Sequence, residues 1–503
     1  MFDRTKRASL GVVMSCASLL AAVPACTVDD GVDDPDDIED GKDDRGDGKA
    51  DSITSGSVQA AAIIAMVNDA STDQAELDHD AGLSTRVARN IMAHRDGADR
   101  RPGTADDDLY GGLAELDGIP YVGPAVLKAL LAHATARGFL TPATWRRIAT
   151  VPVPFPDRYF YGLGHQVVRG ADRVLVSTPD GVWSSKLSGG EVKRVGLAGV
   201  NVMFIHVDPA DPSRIYAGGV VTTGAADLAT FYISSDGGLT FRGASSPKLA
   251  STGGYLGFSD FTFVPGKPNH LMANGGSGAT VLVSTDRGAT WAISRRDVAG
   301  DELSYPCHVL ALDPGRIVQG CEVPLDEAWV GVRSIAPLDP LDVGPPRKLL
   351  ANHVPGLPDI GNRRPNLIEP AGTPTSFFVG VEGGLYKYDL ATSKGTWWYD
   401  EPVDSAFGTY VGALWLDPAD AQHVIFGGFD KRSASFSLLE TRDGGQHVSR
   451  LTPPGELRQF PHVHDIVPTS PGRFDVVLSD MPDAEDPLGA VTYMVYELTT
   501  SKR

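Results

Sequence analysis

His308, Arg364 and His462 share one position of a recurring unit, six residues before its turn proline, and side chains of these types are the ones that hold an anion. Two residues earlier in the unit stand Asn362 and Tyr410, a hydrogen-bonding amide and a ring that could wall a bound group. The other occupants of the first position are Met203, Ser259 and Gly412, so the charge is confined to part of the ring that the units would form. His462 and His464 also stand two apart on one predicted strand, a spacing open to a metal ion. Elsewhere, Asp96, Asp99, Asp106 and Asp108 crowd a glycine-bent loop, an oxygen array of the kind that calcium favours, although out of the EF-hand register. No other cofactor is expected.

The elements that must position these groups follow from the repeat. Each unit is a strand, a proline turn and a strand ending near glycine, as in Val207-Asp-Pro209 to Gly218 or Leu416-Asp-Pro418 to Gly427. After Thr150 such units recur at a spacing of roughly 50 residues among short Val/Ile/Phe/Tyr runs, which is the signature of an all-β repeat fold. Six complete units and an incomplete one around Val174-Leu-Val176 predict a propeller of seven four-stranded blades over 150–503, with six or eight left open. The positions six before the proline would then ring the channel mouth, and deeper ones such as Ile205, Leu310 and Leu414 would be core. Cys307 and Cys321 are equidistant from Pro314, so they should face each other across one hairpin and form a disulfide.

A second repeat carries a resemblance. Ser234, Asp236, Gly238, Thr240 and Phe241 are matched by Ser284, Asp286, Gly288, Thr290 and Trp291, and a degraded copy holds Thr441, Asp443 and Gly445. This resembles the Asp-box turn of the propeller superfamily that includes sialidases, xyloglucanase-type glycosidases, sortilin-like receptors and photosystem assembly factors. The resemblance implies the fold and makes these residues structural, without naming a function. The arginine motif of sialidases is missing, and no carboxylate pair outside turns stands out for glycoside hydrolysis. The expectation is a binding protein for a protein or glycan ligand, with a glycoside hydrolase as the rival and catalysis left uncertain.

Ahead of the β region, residues 55–140 turn helical, with apolar positions at Ile63, Met66 and Val67, then Val87 and Ile91, then Leu127 and Leu130. Two segments echo each other, and Ile119, Pro120, Val122 and Gly123 form a hairpin that resembles the tandem helix-hairpin-helix module of competence-type DNA receptors. In that family hairpin amides bind a DNA phosphate, but Tyr121 stands here where the first hairpin glycine would be. Acidic residues outnumber basic ones near both hairpins, which opposes binding to a polyanion. Nucleic acid is therefore the weaker alternative, and a spacer or protein-docking role is expected.

The start of the chain reads as an export signal over 1–25: Arg4, Lys6 and Arg7, then an apolar run from Leu10 to Ala22. Val23-Pro24-Ala25-Cys26 resembles a lipobox, which implies lipidation at Cys26 and a membrane partner through that lipid. Simple cleavage and secretion is the alternative. Residues 26–54 form an acidic tether that contributes much of the net charge of −20 and has too few apolar residues for a core. These features place the protein in the cell envelope, where a disulfide persists.

Overall fold

The computed structural model describes residues 53–500 apart from 56, 154–165, 223–229, 247–254, 276–279, 296–306, 324–326, 338, 340–341, 352–356, 359–362, 364, 402–408, 431–434, 456, 458–459 and 482–490. The signal, Cys26 and nearly all of the tether, together with Asn362 and Arg364, lie outside the described residues.

The β region is a seven-bladed propeller. Its inner strands, in blade order, are Val167–Arg169, Asn201–Asp208, Tyr255–Phe263, His308–Asp313, Pro365–Pro370, Thr409–Leu416 and Phe460–Ser470. Each is followed by antiparallel strands stepping outward, so that every chain segment pairs with its neighbour in sequence. The ring is closed by Ala143–Val153, which forms the outermost strand of blade 7 by pairing with Val491–Thr500. The propeller therefore begins before residue 150. Blade 6 also gains a fifth strand, Leu140–Thr141, paired in parallel with Ser449–Leu451.

Apolar side chains alternate along the strands and meet those of the next blade, so the core is a series of layers between blades. The layer between blades 2 and 3 is aromatic, with Phe204, Phe231, Phe258, Phe261 and Trp291 in tilted and edge-on contact. At the closing seam, Arg169 of blade 1 makes a bidentate ion pair with Asp475 of blade 7, whose side chain is fully buried. Removing either partner would strand a charge between the blades.

Five helices precede the propeller: α1 Val58–Asn68, α2 Gln74–His79, α3 Thr85–Arg95, α4 Leu113–Asp117 and α5 Pro124–Ala136. Ser57, Asp73 and Ser84 cap the first three through side-chain oxygens that accept backbone N–H groups. Gly82 between α2 and α3 has φ +71°, and Tyr121 between α4 and α5 has φ +72°, each two residues before the next N-cap. Tyr121 thus holds the left-handed conformation that glycine adopts without steric cost. The region has its own core of Ile63, Met66, Ile91, Leu116 and Leu130. Arg95 is buried there, its guanidinium donating to the carbonyls of Val67, Asp69 and Thr72. Val58 and Ala62 of α1 join the blade-6 layer with Phe436, Leu438 and Leu451, so helices and propeller share apolar surface. No helix among the described residues is long and apolar enough to cross a membrane.

Candidate functional site

The inner strands of blades 2 to 7 each carry an extra residue against their partner: Met203, Ser259, Leu312, Asn366, Gly412 and His464. Such a bulge bends the strand and re-aims the side chains after it. It also presses the inner backbone against the second strand at Gly219 and Gly428, each the residue after a glycine that ends the repeat. A Cβ at Gly219 would lie 1.8 Å from Asn201 O, and one at Gly428 would lie 1.5 Å from Tyr410 O.

The residue after the bulge is Asp260 in blade 3 and Asp465 in blade 7, and both make the same latch. Asp260 accepts from Phe261 N at 2.8 Å and, in the next blade, Val309 N at 3.0 Å. Asp465 accepts from Ile466 N at 2.9 Å and Val167 N at 2.9 Å across the closing seam. Gln166 does likewise to Ile205 N, and Thr262 to Ala311 N. The inner ring is stitched blade to blade by polar side chains.

Two residues beyond Leu367, which follows the bulge of blade 5, stands Glu369. It stands on the inner strand of blade 5, and the charges of Asp260 and Asp465, on the inner strands of blades 3 and 7, both act on it. No hydrogen bond or ion pair to Glu369 is found among the described residues. Burial, reinforced by those two charges, pushes its pKa up to about 8. Burial likewise lifts Asp465 to about 7, against the two amides that favour its ionised form. His206 of blade 2 packs edge-on to Phe261, and burial lowers its pKa against the opposing pull of Asp260. His308 Nδ1 lies 3.5 Å from Asp260, and its buried Nε2 has no partner among the described residues. His206, Asp260, His308, Glu369 and Asp465 all stand on the inner strands that ring the central shaft, and all five are part-exposed.

The candidates drawn from the proline offset are dispersed. His308 lies in the shaft. Tyr410 starts the inner strand of blade 6, bridged to Glu382, with its ring 6.5 Å from that of Phe429. His462 is buried between blades, stacked on Phe429 at 3.9 Å and beside His464, and burial drops its pKa to about 3. His464 in turn meets Ser479 and Tyr493. The offset scatters its picks because the bulge lies six residues before the proline in blades 2, 3 and 6, four before it in blades 5 and 7 and two before it in blade 4. Two residues is one full pleat, about 7 Å along a strand. Glu369, Asp260 and His206 were missed because they stand one, five and three residues before their prolines, so no single offset collects them. The available signal was polar residues at inner-strand positions where the repeat is otherwise apolar.

The repeated turns hold their carboxylates differently. Asp236 accepts from the Thr240 hydroxyl and amide, the Leu239 amide and the Ser234 hydroxyl, and these bonds lower its pKa to about 2. Gly238 N donates to Ser234 Oγ at 2.8 Å, and Asp286, Ser284, Gly288 and Thr290 repeat the arrangement. In the third copy His447 stands where threonine does in the others, and Asp443 accepts from its amide and meets its ring, while Gly445 N donates to Thr441. Phe241 and Trp291 pack into the blade layers. Cys307 and Cys321 are joined in a disulfide, Cα to Cα 4.5 Å, from the start of the blade-4 inner strand to the strand beside it.

In the helical region the loop carboxylates point to separate tasks. Asp96 pairs with Arg95 at 2.6 Å, Asp99 accepts from Arg101 N, and Asp106 accepts from Ala98 N and Asp99 N. Asp108 extends instead toward His94. In the hairpin, Asn90 donates to Pro120 O, Ile119 and Val122 pack on the helical core, and Gly123 caps α5 with no side-chain bond.

No family model matches the chain, and no curated protein matches it. Among solved structures it is similar to a GH74 xyloglucanase from Xanthomonas campestris, with 17% identity, a TM-score of 0.46, and 70% of this chain covering 55% of that one. A GH74 enzyme from Niastella koreensis gives 13% identity and a TM-score of 0.45 over 69% of this chain and 55% of that one. YCF48 from Cyanidioschyzon merolae gives 15% identity and a TM-score of 0.41 over 69% and 98%. The chain spans about half the length of the two GH74 proteins.

Proposed function

We propose that the chain is an exported, lipid-anchored binding protein of the Asp-box class, which takes a protein or glycan ligand at the shaft of its propeller. The observation that carries the reading is Glu369, a carboxyl on the inner strand of blade 5 with no hydrogen-bond or ion-pair partner among the described residues. In its protonated form it both donates and accepts a hydrogen bond, which suits sugar hydroxyls and peptide groups alike. His308 Nε2 adds a second buried group with bonding capacity to spare. Hydrolysis by two carboxylates needs a second acid free to act, whereas Asp260 and Asp465 are each committed to two backbone amides. The Ser/Thr-x-Asp turns support the Asp-box membership, and Val-Pro-Ala-Cys26 supports the lipid anchor and a place in the cell envelope. The acidic balance of the helical region supports a spacer or dock over a nucleic-acid binder.

The test is a glycan-array screen beside fluorogenic glycosides, using wild type, Glu369→Gln and Glu369→Ala. Glutamine keeps the donor and acceptor of a protonated acid, so binding should survive in Glu369→Gln and fall by about tenfold in Glu369→Ala. Turnover abolished by Glu369→Gln would replace this reading with the hydrolase. Saturable binding that ignores both changes would move the ligand away from the shaft.

A further inference from the structure

The loop that crowds so many carboxylates leads to a different group of donors from the one its spacing suggests. His94 in the last turn of α3, Asp108 at the end of the loop and Glu115 in the first turn of α4 bring one donor atom each within 4.8 Å of one another. His94 Nε2 lies 3.1 Å from Glu115 Oε1 and 3.9 Å from Asp108 Oδ2. Donors about 2.1 Å from a shared ion stand up to about 4.2 Å apart, a limit that both His94 separations meet.

The donors are held from behind. The His94 ring stacks on Tyr110 at 4.6 Å, and Tyr110 is itself fixed by a 2.8 Å bond from its hydroxyl to Ile91 O. Glu115 Oε2 accepts from Gly111 N at 2.6 Å, which turns Oε1 toward the histidine. Asp108 is anchored through its own amide, which donates to Arg95 O. Outer contacts of this kind are what orient metal ligands. The site is open on one side, since the Asp108 side chain is 71% exposed, so water or an external donor can complete a coordination shell.

We propose that His94, Asp108 and Glu115 bind a first-row divalent transition metal ion such as zinc, manganese or cobalt. An imidazole beside two carboxylates selects these ions over calcium, which takes an all-oxygen shell of six to eight donors. Asp99 and Asp106, the carboxylates that would have served calcium, are engaged by backbone amides. A bound ion would clip the C-terminus of α3 to the start of α4 and pin the ends of the intervening loop. The site is independent of the shaft.

The experiment is titration of the tag-free full chain with Co2+, Zn2+ and Ca2+ alone, followed by visible absorption for cobalt and by calorimetry and thermal melts for all three. The expected result is a cobalt d–d spectrum with saturable binding below millimolar, weakened by tenfold or more in His94→Ala, Glu115→Gln and Asp108→Asn. Asp99→Asn should leave it unchanged. Asp108 is exposed and its change near-isosteric, so that variant separates lost binding from lost folding. No binding up to millimolar metal, binding that survives either His94→Ala or Glu115→Gln, or calcium binding as tight as cobalt would overturn the proposal.

Discussion

The carboxylates of the repeated turns and those of the shaft are the same chemical group in opposite states. Asp236 sits at the rim of a blade with hydroxyls and amides donating to both its oxygens, and its pKa falls to about 2. Glu369 stands on an inner strand with no such donors among the described residues and two like charges nearby, and its pKa rises to about 8. Asp465 shows that two amides do not offset enclosure, since it still rises to about 7. Charge state here is decided by the count of donors against the loss of water. The turn acids are consumed by the fold, and the acid of the inner strand is held by no such bonds among the described residues.

A third carboxylate, Asp475, is fully buried and bonded to Arg169, so the sharpest break of the comparison is to remove its partner. Arg169→Ala should cost about 3–5 kcal/mol in urea unfolding. Replacing both by apolar residues should restore much of that loss, and a double variant as unstable as the single one would mean that the ion pair is not what holds the seam.

Glu369→Gln comes next and should act in the opposite direction. The unfolded acid ionises near pH 4.5 while the folded one keeps its proton to about 8, so wild type loses stability as pH rises through that window. The variant should match wild type at pH 4 and be more stable by about 2 kcal/mol at pH 8.5, read from paired denaturant curves. Equal curves at both pH values would show that the shaft hydrates its acid fully.

The smallest change is expected at the rim. Asp236→Asn removes charge-assisted bonds from one exposed turn and should cost about 1 kcal/mol. Its lowered pKa gives the reverse pH dependence: the contribution is present above pH 3.8 and is lost as pH falls through about 2. Binding at the shaft should be untouched by this change, and a ligand affinity that moved with it would join the two regions that are here held apart.

Much of the architecture was legible because it is local. The proline turns, the Ser/Thr-x-Asp turns and the Cys307–Cys321 hairpin each rest on contacts within about 15 residues, and all lie where the repeat puts them. The helical pairs were equally visible, down to the place of Tyr121. The site was not legible at the same level. His462 shares its offset with His308 yet is stacked between blades, because the proline is an unreliable ruler when bulges shift by a pleat.

The sequence by itself determined the repeat, the disulfide and the helical start and bounded the blades at six to eight, since each follows from periodicity and turn chemistry along a single stretch of chain. Only the tertiary structure decided which side chains share the shaft. That choice depends on where the bulges fall in strands from different blades, and on how far enclosure by the whole ring outweighs the few donors each carboxyl can find. The same holds for His94, Asp108 and Glu115, whose donors meet because α3 and α4 fold back on a shared core, which spacing along the chain does not encode.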